Sequence, residues 1–285
     1  MADFAPPSPP FGNLRSAAVS FVLFNNPTVE VDAAVTQVLD SPADIHVFLI
    51  DNTQPSLELP EYDPARVTVI RAKRNLGYGS GHNLAFAQTS NYKYHFVLNV
   101  DLTFGPEVIP YLINFLDNNV DIGLAMPRVV YPDGRIQHLC RLLPTPIDVF
   151  GRGFFRSSGW VQRRNDRYEA RNWTYDQVAE FPFLSGCFMA FRRSIISQIG
   201  GFDERFFLYA EDTDLSRRVN EVARTVYVPM VTAVHAYTSE HRPSLKLTQY
   251  KIMNLARYFN KWGWLFDSKR RKINKRTLTA LQLLP

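Results

Sequence analysis

An α/β domain built on a mostly parallel sheet is what this sequence predicts, and three observations carry the prediction. Four short runs, Ala17–Phe24, Ile45–Ile50, Val67–Ile70 and Tyr94–Leu98, are apolar without alternation, as strands covered on both faces must be. Helical spacing over Val29–Leu39, and again after the glycine-rich run that ends at Asn83, supplies the crossovers that parallel strands require. Polar residues close the strands, with Asn25 after the first, Asp51 after the second and Asp101 after the fourth. In open sheets of this class ligands bind beyond those carboxyl ends.

Taken in order, residues 1–14 are proline-rich and expected to be disordered, without a basic-then-apolar leader pattern. No apolar run approaches the roughly 18 residues that a membrane-spanning helix needs. The folded domain is expected over 15–262. Its first strand stops at Asn25-Asn26-Pro27, and Val31, Val35, Val38 and Leu39 form one side of the helix that follows. The second strand ends at Asp51-Asn52, and the third leads into Asn75-Leu-Gly-Tyr-Gly-Ser-Gly-His-Asn83 and a helix to about Gln88. After the fourth come Asn99-Val100-Asp101, a helix over Pro106–Asn118 and a strand over Ile122–Pro127.

The pattern then loosens. Pro132-Asp133-Gly134 is a turn, and residues 152–171 mix six arginines with Phe154, Phe155, Trp160 and Tyr168. So long an irregular stretch inside a domain reads as a lid or binding loop. Phe183–Phe191 has the length of one buried strand. Arg192-Arg193 opens a short helix that Gly200-Gly201 stops. An aromatic turn, Phe202–Tyr209, delivers Glu211, Asp212 and Asp214 to a helix whose apolar face is Leu215, Val219 and Val222. Short strands over Thr225–Val228 and Val231–Val234 precede His235, and Leu245–Trp262 reads as an amphipathic helix. Residues 263–285 are expected to be a basic amphipathic tail.

Charge is distributed unevenly. Residues 261–276 hold seven Lys or Arg and one Asp in a chain of total net charge +5, so the rest is slightly acidic. A nucleic-acid protein would carry its basic face on the folded body, and no such partner is expected. A basic segment that also bears Trp262, Trp264, Leu265 and Phe266 suits an anionic membrane surface, although a charge run is more often simply solvated. Cys140 and Cys187 have no ligand-like spacing, which fits a reducing compartment and counts against structural zinc.

Three carboxylates in four positions, Glu211, Asp212 and Asp214, exceed what a helix start needs, since one Ser or Asp suffices as a cap. Crowded acids raise one another's proton affinity, which suits proton transfer. Asp101, two residues after Asn99 at a strand end, is placed to hold a divalent cation; a solvated strand-end Asp would look the same. His235 follows a valine-rich run, where a lone His is more often a satisfied core group than a ligand. The Gly77-x-Gly79-x-Gly81 loop does not complete a dinucleotide fingerprint, which belongs after the first strand. No G-x-x-x-x-G-K-[ST] run exists, and Ser80 lacks the glycines of a nucleophile elbow. A tight turn, or one that lets backbone approach a ligand, remains.

In order and spacing, the chain's short motifs resemble family 2 glycosyltransferases of the GT-A fold, and within them the bacterial rhamnosyltransferase-like group. They are Asp51-Asn52, Asn75-x-Gly77-Tyr78 with Asn83, Asn99-x-Asp101, Pro132-Asp-Gly134, Leu184-Ser-Gly186 and Arg192-Arg193-Ser194, then Gly200-Gly-Phe-Asp-Glu204, Phe207-Leu-Tyr209, Glu211-Asp-x-Asp-Leu215, Arg218 and the late His235. The resemblance covers roughly residues 17–262.

It implies an inverting, metal-dependent transfer of a sugar from a nucleotide-sugar donor, foremost L-rhamnose from dTDP-β-L-rhamnose. The implied acceptor is a glycan or lipid-linked oligosaccharide of cell-surface polysaccharide, of O-antigen or capsule type. The resemblance further implies Mg²⁺ or Mn²⁺ on Asp101 with help from His235, and Asp212, beside Glu211, as general base. Asp51 would contact the nucleotide base, with Asn25, Asn75, Gly77, Tyr78, Asn83 and Asn99 also around the donor. Gly186 would lie toward the acceptor, and the Arg-aromatic residues Arg152, Arg156 and Trp160 are expected to shape that region.

One departure is visible. Where the family usually carries Asp-x-Asp or Pro-Asp, this chain reads Asn99-Val100-Asp101, so only Asp101 carries over as a metal carboxylate. Three alternatives stand beside this reading. A UDP-sugar donor, galactofuranosyl or N-acetylhexosaminyl, changes only the sugar. A sugar nucleotidyltransferase would place a Gly-rich basic loop where Asn25-Asn-Pro27 stands, and a carbohydrate-binding module would not need Asp101 together with Asp212. The expected location is the cytoplasm, peripheral on the inner face of the membrane.

Overall fold

The computed structural model describes residues 17–154, 159–236 and 245–283. Four parallel strands form its first half: β1 (Ala17–Leu23), β2 (Ile45–Asp51), β3 (Val67–Arg71) and β4 (Tyr94–Leu98), in the spatial order β3-β2-β1-β4. Every residue of β1 but Val22 is buried, which is why the run could not alternate. Between these strands, α1 (Thr28–Leu39) buries Val31, Ala34, Val35 and Val38, and α2 (Tyr78–Phe86) begins inside the glycine-rich run. The glycines there are thus mostly the first turn of a helix.

The second half is mixed. After β5 (Leu102–Phe104) and α3 (Val108–Asn118), β6 (Ile122–Val130) enters the sheet. Residues 131–180, expected as irregular, contain β7 (Cys140–Arg141), α4 (Pro146–Phe154), α5 (Gly159–Tyr168) and β8 (Ala179–Glu180). Phe183–Phe191 is not one strand. It breaks at Ser185-Gly186-Cys187 into β9 (Phe183–Leu184), which pairs with β7 outside the main sheet, and β10 (Phe188–Arg192), which lies antiparallel between β4 and β6.

A short α6 (Arg193–Ile199) ends before Gly200, and α7 (Glu211–Asn220) carries the acidic turn. Leu215 and Val219 are buried, whereas Val222 lies beyond the helix and is exposed. The two short strands expected after it are one, β11 (Arg224–His235), bent by a register shift between Val228 and Thr232, where Pro229 removes a ladder donor. The full order is β3-β2-β1-β4-β10-β6-β11-β5, with β8 on β11.

The C-terminal segment differs most from expectation. α8 (Leu245–Trp262) is followed by α9 (Ser268–Ala280), and α9 is docked rather than free, with Arg270, Thr277 and Leu278 buried. The Asn274 amide bonds both backbone groups of Leu143, at 2.8 and 2.8 Å. Asp267 caps α9 by accepting the Arg270 N–H and also takes the guanidinium of Arg217 in two bonds of 2.7 and 2.9 Å. Arg217 is fully enclosed in the body, so this acid is its counter-ion, and the requirement docks the segment. Among the described residues no helix is long and apolar enough to cross a membrane. The proline-rich residues 1–14 lie outside the described residues.

Candidate active site

Strand pairing assembles the site from four distant stretches. β5 starts directly after Asp101 and pairs antiparallel with the end of β11, matching Leu102 with His235. The imidazole Nε2 of His235 therefore lies 3.3 Å from Asp101 Oδ1, and the Ala236 N–H donates to the Asp101 carbonyl at 3.0 Å. On the other side, the β4–β10 pairing puts Cys187 beside Asn99, whose N–H donates to the Cys187 carbonyl at 2.9 Å. Gly186 is thereby brought next to Asn99. Ser216 Oγ in α7 accepts the Leu184 N–H and donates to the Leu184 carbonyl, at 3.2 and 3.0 Å. With β9 so fixed to α7, the Gly186 N–H reaches Asp212 Oδ2 at 3.1 Å.

Tyr78 is the centre of this arrangement. Its hydroxyl lies 2.6 Å from the Gly186 carbonyl and 3.0 Å from Asn99 Oδ1. Burial above all, with the electrostatic influence of the nearby Cys187, Glu211, Asp212 and Asp101, pushes this phenol well above its ordinary range, so it stays a donor. Two glycines make the approach possible. A Cβ on Gly186 would stand 3.2 Å from the Tyr78 ring and 3.4 Å from Asp212 Cβ. Gly77, at φ 87°, would drive a Cβ to 2.2 Å from the Phe207 carbonyl, which accepts the Tyr78 N–H at 3.0 Å.

The three acids of α7 have separate surroundings. Ala210 opens the helix with no side-chain cap, so the acids are not there as the capping residue. Asp212 accepts from Gly186 N–H and, at 2.7 Å, from Thr213 N–H. Burial pushes its carboxyl up, while those two N–H groups and the charge of Arg141 hold it back. Glu211 is more enclosed; burial and the charge of Asp212 push it well above the carboxylate range, and its Oε2 has no hydrogen-bond partner among the described residues. Of the pair, Glu211 is the more strongly pushed toward its protonated form. Asp214 faces the body, where Arg218, Trp262 and Lys261 donate to it at 2.8, 2.7 and 2.7 Å. Just upstream, Tyr209 and Ala210 both have left-handed backbone (φ 70° and 68°), strain that concentrates where function needs a fixed geometry.

Whether Asp101 and His235 suit a divalent cation can be judged from their surroundings. Gln137 donates to the His235 carbonyl at 2.8 Å, which orients its amide so that Oε1 takes the Nδ1 proton at 2.9 Å. That fixes the ring with Nε2 facing Asp101 and Asn99, as a metal-ligating His is usually oriented. Asp101 is 39% exposed at its side chain. Burial would raise its carboxyl, but the hydrogen bond and charge of His235, with the Asn99 amide, bring it below the usual range. No group of three His, Cys, Asp or Glu that could hold a metal ion exists among the described residues. Two protein ligands nonetheless fit Mg²⁺ or Mn²⁺, which take one or two protein groups and fill the rest with phosphate oxygens and water.

The other expected donor residues mostly build the loops. Asp51 is fully buried and accepts the N–H groups of Thr53 and Leu57 at 2.9 and 2.8 Å. Asn75 Oδ1 accepts the Gly77 N–H at 2.8 Å. Asn83 clamps the Phe202 turn, donating to its carbonyl and accepting its N–H, both at 2.9 Å. Asn25 is exposed in left-handed backbone, with its N–H on Thr53 Oγ1 at 2.9 Å.

On the acceptor side, Gly186 is at the site, whereas Trp160 lies in α5 against α9. Arg152 falls in α4, and Arg156 is outside the described residues. Sequence reasoning missed Gln137 and Arg141. Neither sits in a spaced motif; only the pairing of β7 with β9 brings Arg141 under Phe183, 5.8 Å from its ring, and within electrostatic reach of Asp212.

Solved glycosyltransferases share this architecture. A structure of GalNAc-T7 with UDP, GalNAc and Mn²⁺ matches 88% of this chain at a TM-score of 0.63 and 13% identity; the match spans 49% of that chain. The mannosyltransferase PcManGT from Pyrobaculum calidifontis, solved with GDP-Man and Mn²⁺, matches 99% of this chain and 73% of its own at 0.61 and 15% identity. The fold is GT-A. The model of Glycosyl transferase family 2 matches residues 22–200, and the chain belongs to that family of glycosyltransferases. An N-acetylglucosaminyl-diphospho-decaprenol L-rhamnosyltransferase of Mycobacterium tuberculosis is 29% identical over 230 residues, 72% of each chain.

Proposed function

We propose that this glycosyltransferase moves L-rhamnose from dTDP-β-L-rhamnose, with inversion, onto a lipid-linked glycan of cell-surface polysaccharide. The observation that carries the mechanism is the placement of Asp212 against Gly186, across Tyr78 from Asn99, Asp101 and His235. Asp212, ionised beside a protonated Glu211, takes the proton of the acceptor hydroxyl as that oxygen attacks the anomeric carbon. The bond to the donor diphosphate breaks on the opposite face, so one displacement inverts the centre and no covalent nucleophile is needed. Asp101 and His235 would hold Mg²⁺ or Mn²⁺, which when bound neutralises charge on the leaving diphosphate. Tyr78 keeps Gly186 and Asn99 at fixed separation, and Gln137 keeps Nε2 of His235 facing the donor end.

The rhamnosyl donor and lipid-linked acceptor rest on the mycobacterial relative's name and on the motifs around Pro132-Asp-Gly134 and Glu211. A UDP-sugar donor is the competing reading. The enzyme would work in the cytoplasm, peripheral on the inner face of the membrane, with its basic C-terminal segment toward anionic lipid. Incubation with a panel of nucleotide sugars and Mn²⁺, detecting released nucleoside diphosphate, tests this. Turnover of dTDP-rhamnose is expected; turnover of a UDP-sugar in its place overturns the donor. Asp101→Ala and EDTA should each abolish donor binding, and binding that survives both removes the metal from the reading.

A further inference from the structure

Away from the catalytic edge, α4, α5 and α9 enclose a groove of about 790 Å³. Its lining carries five arginines and one lysine against a single acid, Asp148. That acid is already taken, by Arg164 at 2.8 Å and by the Thr145 hydroxyl at 2.6 Å. Arg163, Arg167 and Lys275 are exposed and have no acid partner among the described residues. Three cations from two helices far apart in sequence, converging without counter-ions, mark a place that an anion completes.

The rim has the opposite character. Trp160 from α5 and Trp264-Leu265-Phe266, between α8 and α9, stand beside the cations. Along the latter run exposure climbs from 41% to 66% to 90%. Trp264 packs on Phe150 and Phe259, but Leu265 and Phe266 protrude side by side into water, which is unusual for a surface that nothing covers. A nucleic-acid groove has use for the tryptophans as stacking platforms but not for protruding Leu and Phe. A bilayer interface has use for all of them, with aromatic rings at headgroup level, aliphatic groups below and cations over the phosphates.

We propose that this groove is the membrane-docking surface of the enzyme, seating the phosphate headgroups of an anionic phospholipid bilayer while Trp264-Leu265-Phe266 enters the acyl boundary. It is a composite of residues 142–148, 160–168 and 264–278, not a property of a basic tail. Tyr168, on its wall, stacks at 5.9 Å on Arg141, the residue whose charge acts on Asp212. Through Tyr168 the groove borders Arg141. The proposal deepens the reading of a lipid-linked acceptor and rests on it for its purpose, though not for its chemistry.

Co-sedimentation of the full chain with phosphatidylcholine vesicles, with and without phosphatidylglycerol, tests it at low and raised salt. The wild type should bind the phosphatidylglycerol vesicles and be released by salt. R163Q/R167Q/K275Q should lose binding on the order of 100-fold, at about fivefold per charge near an anionic surface. L265S/F266S should weaken binding in a manner that salt does not mimic. The control R66Q/R135Q/K246Q, equal in charge change but on other faces, should bind as the wild type does. All these side chains are solvent-facing, and an unchanged melting transition verifies folding. Equal binding by the groove triple variant and the wild type would overturn the proposal. So would retention of single-stranded RNA, lost in the triple variant, without vesicle binding. Groove-dependent vesicle binding by a protein that transfers no sugar would leave this surface standing and remove the function above.

Discussion

The two faces of α7 receive the same residue type and treat it differently. On the outer face Asp212 accepts two backbone N–H groups and, at 3.3 Å, the Thr213 hydroxyl, with no cationic side chain bonded to it, and burial leaves its basicity raised. On the inner face Asp214, fully buried, is surrounded by Arg218, Lys261 and Trp262 and binds α7 to α8. Carboxylates are thus sorted by how completely their lone pairs are satisfied: a saturated one is structure, an under-saturated one is available to a substrate proton.

Substitution at the two positions should separate the roles. Asp212→Asn is expected to lower transfer by on the order of 10²–10⁴-fold with the melting transition unchanged. A variant that keeps a third of wild-type turnover would remove Asp212 as base. Asp214→Ala should do the reverse, costing about 1–3 kcal/mol of stability because the partly buried Arg218 guanidinium and the Trp262 N–H lose their acceptor, while Lys261 keeps Asp203. Its turnover per folded molecule should stay near wild type, as measured by denaturant titration beside an activity assay.

A smaller effect sharpens the outer face. Arg141→Gln removes a charge that holds the Asp212 carboxyl down, so the acid limb of the rate profile should move to higher pH. An unmoved limb would mean that Arg141 is too well solvated to matter.

The histidines repeat the contrast. His235 lies in the site, but His82 and His95 are fully enclosed around Ser20 Oγ, at 2.7 and 2.8 Å. Burial pushes His82 down from 6.5 to about 3 and His95 well below its ordinary value. Between those pH values the unfolded chain binds more protons than the folded one. The stabilisation is therefore whole above about pH 6.5 and is lost as pH falls toward 3. Denaturant midpoints should decline from pH 7 to pH 5, and His82→Phe should flatten that decline. Parallel slopes for variant and wild type would count against the burial argument.

What was legible in the sequence follows from locality. Strands β1 to β4 and helix α8 show at their true places because each signal is contained within its own residues, a doubly apolar run or a period of 3.6. Asp101 and Asp212 stood out through motifs. The break of Phe183–Phe191 into β9 and β10 was not visible, because an apolar run does not reveal which of two sheets its halves join. Gln137 and Arg141 were hidden for the same reason: their importance comes from partners 98 residues away in the first case and from across a two-stranded sheet in the second. Asp267 looked like a stray acid in a basic run until Arg217 was seen to need it.

That last bond has a consequence in time. A chain made from its amino end presents Arg217 fifty residues before the acid that neutralises it. Until Asp267 emerges, the helix bearing the base holds a guanidinium with nowhere to discharge, and the apolar pocket around Tyr258 and Trp262 has reason to stay open. A chain cut short before Asp267 would leave the buried guanidinium of Arg217 without its acid.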